Sequence, residues 1–263
     1  MTNALLMGLL ASSAFPIGVL LGLYAPMPRR LLASVVAFGA GVLVVALTVE
    51  LMTEALEQGA LAWALGGLLT GSVIYVAIDQ ALERAAEQSP KREGRDPGEL
   101  APDAQRRRES PEEATLSGMA VLVGTALDGV PENAAIGIGL AAEEGPQLGF
   151  VLLGAVFLSN LPGAVASTAG MRREGRGPRY IATAWTLVGL ACTGACVAGY
   201  AVLSGLPPQG HAFMLALAAG GILAMLSDTM FPEAFRGGGP WVALSATAGF
   251  AAAFLLVEAA DGP

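Results

Sequence analysis

Apolar residues in this chain are gathered into runs of about twenty, each closed by charge or by a Gly/Pro cluster, and this pattern predicts helices long enough to cross roughly 30 Å of hydrocarbon. The runs cover 3–24, 31–53, 60–80, 115–141, 147–170, 180–203, 211–233 and 240–258. The expected fold is therefore an all-α membrane protein of eight spans, a single transmembrane domain over 1–263. The first run lacks a basic leader and stays apolar to Tyr24, so it is read as a span and not as a cleavable signal. Between the third and fourth runs, Arg84 to Glu113 is charged, Pro-containing and poor in large apolar residues, the composition of a flexible loop.

Composition agrees with a lipid solvent. Hydrophobic residues make up 54% of the chain and charged residues only 14%, too few to cover a soluble surface. The 35 glycines suit helices that pack closely through small side chains in a bilayer. A net charge of −8 argues against a nucleic-acid partner, which needs clustered cations facing phosphates. Cys192 and Cys196 lie one turn apart in an apolar run, a geometry that seldom permits a disulfide, and are expected to be packing residues.

The cations fix an expected orientation. All 14 Lys and Arg residues fall in alternate loops: Arg29 and Arg30 in the first, Arg84 to Arg108 in the third, Arg172 to Arg179 in the fifth, Arg236 in the seventh. The opposite face has acids such as Glu57, Glu143, Glu144 and Asp261 but no cation. Positive charge stays on the cytoplasmic side of short loops, so both termini are expected outside the cytoplasm, in a multi-pass protein of the cell (inner) membrane.

Two internal similarities organise the runs. Residues from Gly39 align with those from Ala218 at a fixed offset, which sets Gly41 on Gly220, Leu47 on Leu226, Glu54 on Glu233 and Ala55 on Ala234. Spans two and seven run in opposite directions in this topology, so the repeat is inverted, with spans one to three and six to eight flanking a central pair in a 3+2+3 arrangement. Within the central pair, Asp128 to Pro131 in span four matches Ser159 to Pro162 in span five. Each Pro removes a backbone N–H and frees the carbonyl of Leu127 or Leu158 near those polar groups.

Asp128 and Glu132 are i and i+4 and so share a helix face, with Asn133 beside them in sequence. Each carboxylate near the bilayer centre costs roughly 2.5 to 3.5 kcal/mol on insertion scales, and no span carries a cation to offset it. A bound cation or a proton must compensate.

These residues resemble a known family. The Pro-Glu-Asn after Asp128 and the polar-x-x-Pro of span five are similar to the paired His-Asn-x-Pro-Glu-Gly and His-x-x-Pro-Glu-Gly motifs of the ZIP (Zrt/Irt-like) divalent metal transporters. The eight runs, the external termini and the long third loop are similar to that family too. Pro131, Glu132 and Pro162 match its motifs, whereas Asp128 and Ser159 stand where it has His, Gly129 where it has Asn, Asn133 where it has Gly, and Gly163 where it has a bridging Glu. No counterpart of its span-six Glu is found around Ala191 and Cys192, and the single His211 falls at the end of span seven that faces away from the cations. The resemblance implies metal transport by a homodimer in which spans four and five move against a scaffold that includes two and seven.

The ligand set expected from these replacements is Asp128, Glu132, Asn160, Ser159 and Asn133 with freed carbonyls. Oxygen-only sites suit hard ions such as Mn²⁺ or Mg²⁺ better than the mixed sites that favour Zn²⁺. The substrate is thus expected to be a divalent metal, Zn²⁺, Mn²⁺, Fe²⁺ or Mg²⁺, carried amid membrane lipid. Glu50 and Asp228 either line an entry or release path or hydrogen-bond a neighbouring helix. Glu54 and Glu233, near helix ends, are expected to be solvated. The alternative function is a ZIP-fold protein that binds an ion or partner without moving it. An enzyme is not expected, since the chain lacks Gly-x-Gly-Asp and His-Glu-x-x-His patterns.

Overall fold

The computed structural model describes residues 1–25, 27–87, 118–142 and 149–260, and every regular element among them is helical. Helix α1 runs Thr2–Tyr24, α2 Arg29–Gln58, α3 Leu61–Glu87, α4 Gly118–Ala142, α5 Gly149–Arg173 and α6 Pro178–Leu203. Helix α7 joins Pro208–Met225, Leu226–Met230 and Phe231–Gly238 end to end, and α8 is Val242–Ala260. The expected loop from Arg84 is shortened at its start, because α3 continues to Glu87. The remainder of that loop, with Glu143, Glu144 and Asp261, lies outside the described residues.

Helix ends follow local chemistry. Pro178 and Pro208 open α6 and α7, where the missing N–H has no partner to lose. Helix α5 stops at Gly175, whose φ of 81° lets its own N–H reach Arg172 O and the Arg176 N–H reach Met171 O, both at 3.0 Å.

Among the described residues, six segments are long and apolar enough to cross a membrane: Thr2–Tyr24, Arg29–Gln58, Leu61–Ala81, Leu152–Arg173, Pro178–Leu203 and Pro208–Glu258. The last, of 51 residues, holds both α7 and α8, which part at Gly239, where φ is 69°. Helix α4 is not among the six. Asp128, Pro131, Glu132 and Asn133 together depress the hydropathy of a helix otherwise built from Ala, Val, Leu, Ile and Gly.

The packing is dominated by small residues at helix crossings. Helix α3 lies along α7 so closely that a methyl at Gly71 would stand 2.0 Å from Leu217 O, and one at Gly220 2.0 Å from Leu68 O. Helix α8 lies along α2 with the same closeness: a methyl at Gly249 would stand 2.0 Å from Phe38 O, and one at Gly41 2.0 Å from Ala246 O. Without water to drive apolar groups together, backbone proximity of this kind supplies the dispersion that holds membrane helices. Helices α4 and α5 contact each other, α4 also packing on α6 and α7, α5 on α1 and α2.

Both α2 and α7 contain a π-helical stretch, Ala46–Met52 in one and Leu226–Met230 in the other. Such stretches reset which side chains face inward and are frequent at functional sites.

Candidate functional site

Helix α4 carries Asp128 and Glu132 midway along its length, and α5 carries Ser159 and Asn160 midway along its own. The two helices pack together, so the four side chains meet near the middle of the molecule. Glu132 is 0% exposed, yet its carboxylate is well provided with donors. Ser159 Oγ–H lies 3.0 Å from Oε1 and 2.9 Å from Oε2, and Asn160 Nδ2 donates to Oε2 at 2.9 Å. Ser159 Oγ and Asn160 Nδ2 are also 3.0 and 2.9 Å from Val156 O, one turn earlier on α5, which fixes both side chains toward α4.

Asp128, Glu132, Ser159 and Asn160 line one cavity of about 270 Å³. Its other walls come from Thr125 on α4, Asp79 on α3, Leu32 and Val36 on α2, Pro162 and Gly163 on α5, and Thr229, Met230 and Glu233 on α7. The cavity ends at Arg29 and Gly237, at the start of α2 and the end of α7. Thus one continuous space joins a buried carboxylate to the end of the bundle where Arg29, Arg172 and Arg236 lie.

Asn133 is placed differently from the other expected ligands. Successive residues of a helix point about 100° apart, and its amide donates to Gly129 O at 2.8 Å and does not line the cavity. Its Oδ1 is buried and has no hydrogen-bond partner among the described residues. Cys192 and Cys196 are free and buried, as their spacing predicts. The Cys192 thiol sits behind the site, where a methyl at Gly129 would be 3.2 Å from its sulfur and 3.0 Å from Asn160 Oδ1.

Three groups at the cavity were not singled out as ligands from sequence. Thr125 lies three residues before Asp128 on the same face of α4, and a methyl at Gly163 would stand 2.3 Å from its Oγ1. Asp79 comes within hydrogen-bonding reach of Asp228 across α3 and α7. Glu233 is exposed, as expected near a helix end, but at the cavity mouth, with Arg29 and Arg236 close by. Glu54, half-buried, accepts a hydrogen bond from Gln58 Nε2 at 2.8 Å.

Chemically the centre offers two carboxylates and the neutral oxygens of Ser159, Asn160 and Thr125. Among the described residues no group of three His, Cys, Asp or Glu side chains converges as a metal-holding cluster. A cation here would therefore rely on neutral oxygen donors to complete its shell, as hard ions do and soft ions do not. No family model matches the chain, and no curated protein matches it either.

Proposed function

We propose that the protein is a divalent metal carrier of the ZIP type, which moves its ion through the carboxylate-lined site between α4 and α5. The observation that carries this reading is the cavity: it connects the buried Glu132 and its neighbour Asp128 to one end of the bundle, and at its inner end the Ser159 hydroxyl and the Asn160 amide donate to the Glu132 carboxylate. A passage that stops at charge in mid-bundle is what an ion needs to enter and leave from one side at a time.

The proposed architecture is 3+2+3, eight spans with α1–α3 and α6–α8 as inverted repeats about α4 and α5. Its support is the correspondence of contacts. The α3–α7 crossing at Gly71/Leu217 and Gly220/Leu68 and the α8–α2 crossing at Gly249/Phe38 and Gly41/Ala246 pair the same positions of the repeat, and the π stretches coincide under it. The orientation goes with the cations: Arg29, Arg172 and Arg236 face the cytoplasm, the termini lie outside, and the cavity opens inward. The membrane is the cell (inner) membrane, and the assembly implied by the family resemblance is a homodimer.

The second reading, a ZIP-fold protein that binds an ion or partner without transporting it, is favoured by one observation, the lack among the described residues of a converging group of three His, Cys, Asp or Glu side chains. Flux separates the two. Purified protein in liposomes should take up Mn²⁺ or Mg²⁺, and Zn²⁺ less well, in a manner abolished by Asp128→Ala. Ion binding without uptake of any of Mn²⁺, Fe²⁺, Zn²⁺ or Mg²⁺ would establish the second reading instead.

A further inference from the structure

A second hollow, of about 460 Å³, lies between α1 and α6. Its walls run along α1 from Leu20 to Leu9 and along α6 from Ala182 to Thr193, and it opens to the outside of the bundle, since Leu20, Thr186 and Leu190 are exposed. Among the described residues none lines both this hollow and the ion cavity. Trp185, which is 1% exposed, borders the hollow and stacks on Phe15 with ring centroids 5.2 Å apart.

The hydroxyls on the walls are already bonded to backbone. Ser13 Oγ donates to Leu10 O at 2.6 Å, Thr186 Oγ1 to Ala182 O at 2.8 Å and Thr193 Oγ1 to Gly189 O at 2.8 Å. With its hydroxyl protons spent in this way, the hollow suits hydrocarbon better than a polar ligand. At about 1.5 Å per residue, Ala182 to Thr193 covers roughly 16 Å, close to half of a hydrocarbon layer of about 30 Å. The hollow is therefore about one leaflet deep, and it lies in the half nearer the start of α6 and the end of α1.

Cations stand at that end. Arg179 precedes Ala182 by one turn and so shares its face of α6. The Arg172 guanidinium donates to Leu23 O, one turn beyond Leu20 on α1. Both arginines are exposed. Basic positions at the ends of membrane helices attract anionic headgroups.

We infer that the hollow between α1 and α6 holds an acyl chain of an anionic phospholipid whose phosphate is met by Arg172 and Arg179. The inference rests on the chain lying in a bilayer and not on ion transport. A zwitterionic lipid offers the same hydrocarbon but brings a cation of its own toward the arginines, so the site discriminates by headgroup charge.

Trp185 reports occupancy. Of the 3 tryptophans, Trp63 and Trp241 are 50% and 74% exposed and are removed by Trp63→Phe and Trp241→Phe. The purified full chain with Trp185 alone is placed in phosphatidylcholine bilayers containing a minority of acyl-brominated lipid, either phosphatidylglycerol or phosphatidylcholine. Half-maximal quenching by brominated phosphatidylglycerol is expected at a mole fraction at least about fivefold lower than by brominated phosphatidylcholine, and Arg179→Gln and Arg172→Gln should each weaken the former about fivefold and leave the latter unchanged. Arg179→Lys, which keeps the charge, should retain the preference. Thr186→Phe, at an exposed wall position, should fill the hollow and remove quenching by both lipids. Equal quenching by the two lipids, a preference that survives both arginine changes together, or no quenching by either would overturn the inference. In the last case, disulfide crosslinking of two copies through Thr186→Cys would identify a second chain as the occupant.

Discussion

Replacing Gly71 by Ala is expected to loosen the α3–α7 pair, and the size of the effect follows from the crossing geometry. The new methyl would stand 2.0 Å from Leu217 O, 2.8 Å from Leu217 C and 3.1 Å from Gly221 N. All three are backbone atoms, so no side-chain rotation relieves the overlap, and the helices must part by about 1 Å or more. Overpacking of this kind costs about 1 to 3 kcal/mol. At about 2 to 4 °C per kcal/mol for a chain of this size, thermal unfolding of purified protein in detergent should fall by roughly 2 to 12 °C. Gly66→Ala on the same helix is the control. Its methyl would meet only Phe213 Cε2, at 3.9 Å, and should leave stability unchanged or raise it by up to about 1 kcal/mol through helix propensity. Gly249→Ala, whose methyl would stand 2.0 Å from Phe38 O, should cost the same as Gly71→Ala. Equal melting of Gly71→Ala and Gly66→Ala would refute the packing argument, and a large difference between Gly71→Ala and Gly249→Ala would refute the equivalence of the two crossings.

Other consequences concern the site and the topology. Asp128→His should move preference toward Zn²⁺, since imidazole rewards a borderline-soft ion, and competition between Mn²⁺ and Zn²⁺ for the purified protein measures it. Cys192→Ser should change Mn²⁺ affinity by less than about tenfold, because the thiol lies behind Gly129 and outside the cavity; a larger loss than that of Glu132→Gln would place a soft ligand at the ion. Lowering the pH should weaken metal binding, since protons compete for Asp128 and Glu132; titration at two pH values checks the sign. Cysteines placed at Gly175 and at Ser204 should react with impermeant reagent on opposite faces of the membrane, Ser204→Cys from outside the cell; the reverse pattern would invert the orientation.

Much of the helical layout is legible in the letters because a long apolar run in lipid has little alternative to helix. Asp128 and Glu132 stand out for the same reason: charge within such a run is costly and must be explained. The turn-back of Asn133 is also readable, since the residue after Glu132 points about 100° away from it, a rule that outweighs adjacency in sequence. The convergence of Asp79, Thr125 and Glu233 on the cavity is less so. They come from three different helices: Thr125 shares the face of Asp128 by its spacing, but which faces Asp79 and Glu233 present depends on the π stretch in α7 and the glycine crossing at Gly71 and Gly220, features of packing that no local pattern announces. Glu233 illustrates the limit. Its position near a helix end correctly predicts exposure, but the space it borders belongs to the same cavity as Glu132.

The proposed transport depends above all on a divalent cation being held by Glu132 and Asp128. Mn²⁺ bound to the purified protein gives an electron paramagnetic resonance spectrum distinct from that of the free ion, so bound and free Mn²⁺ can be counted in one sample. A bound signal is expected in the native protein and is lost at the same Mn²⁺ concentration in Glu132→Gln, with the variant melting within a few degrees of the native protein. Glu132→Gln that folds and binds Mn²⁺ as tightly as the native chain would contradict it.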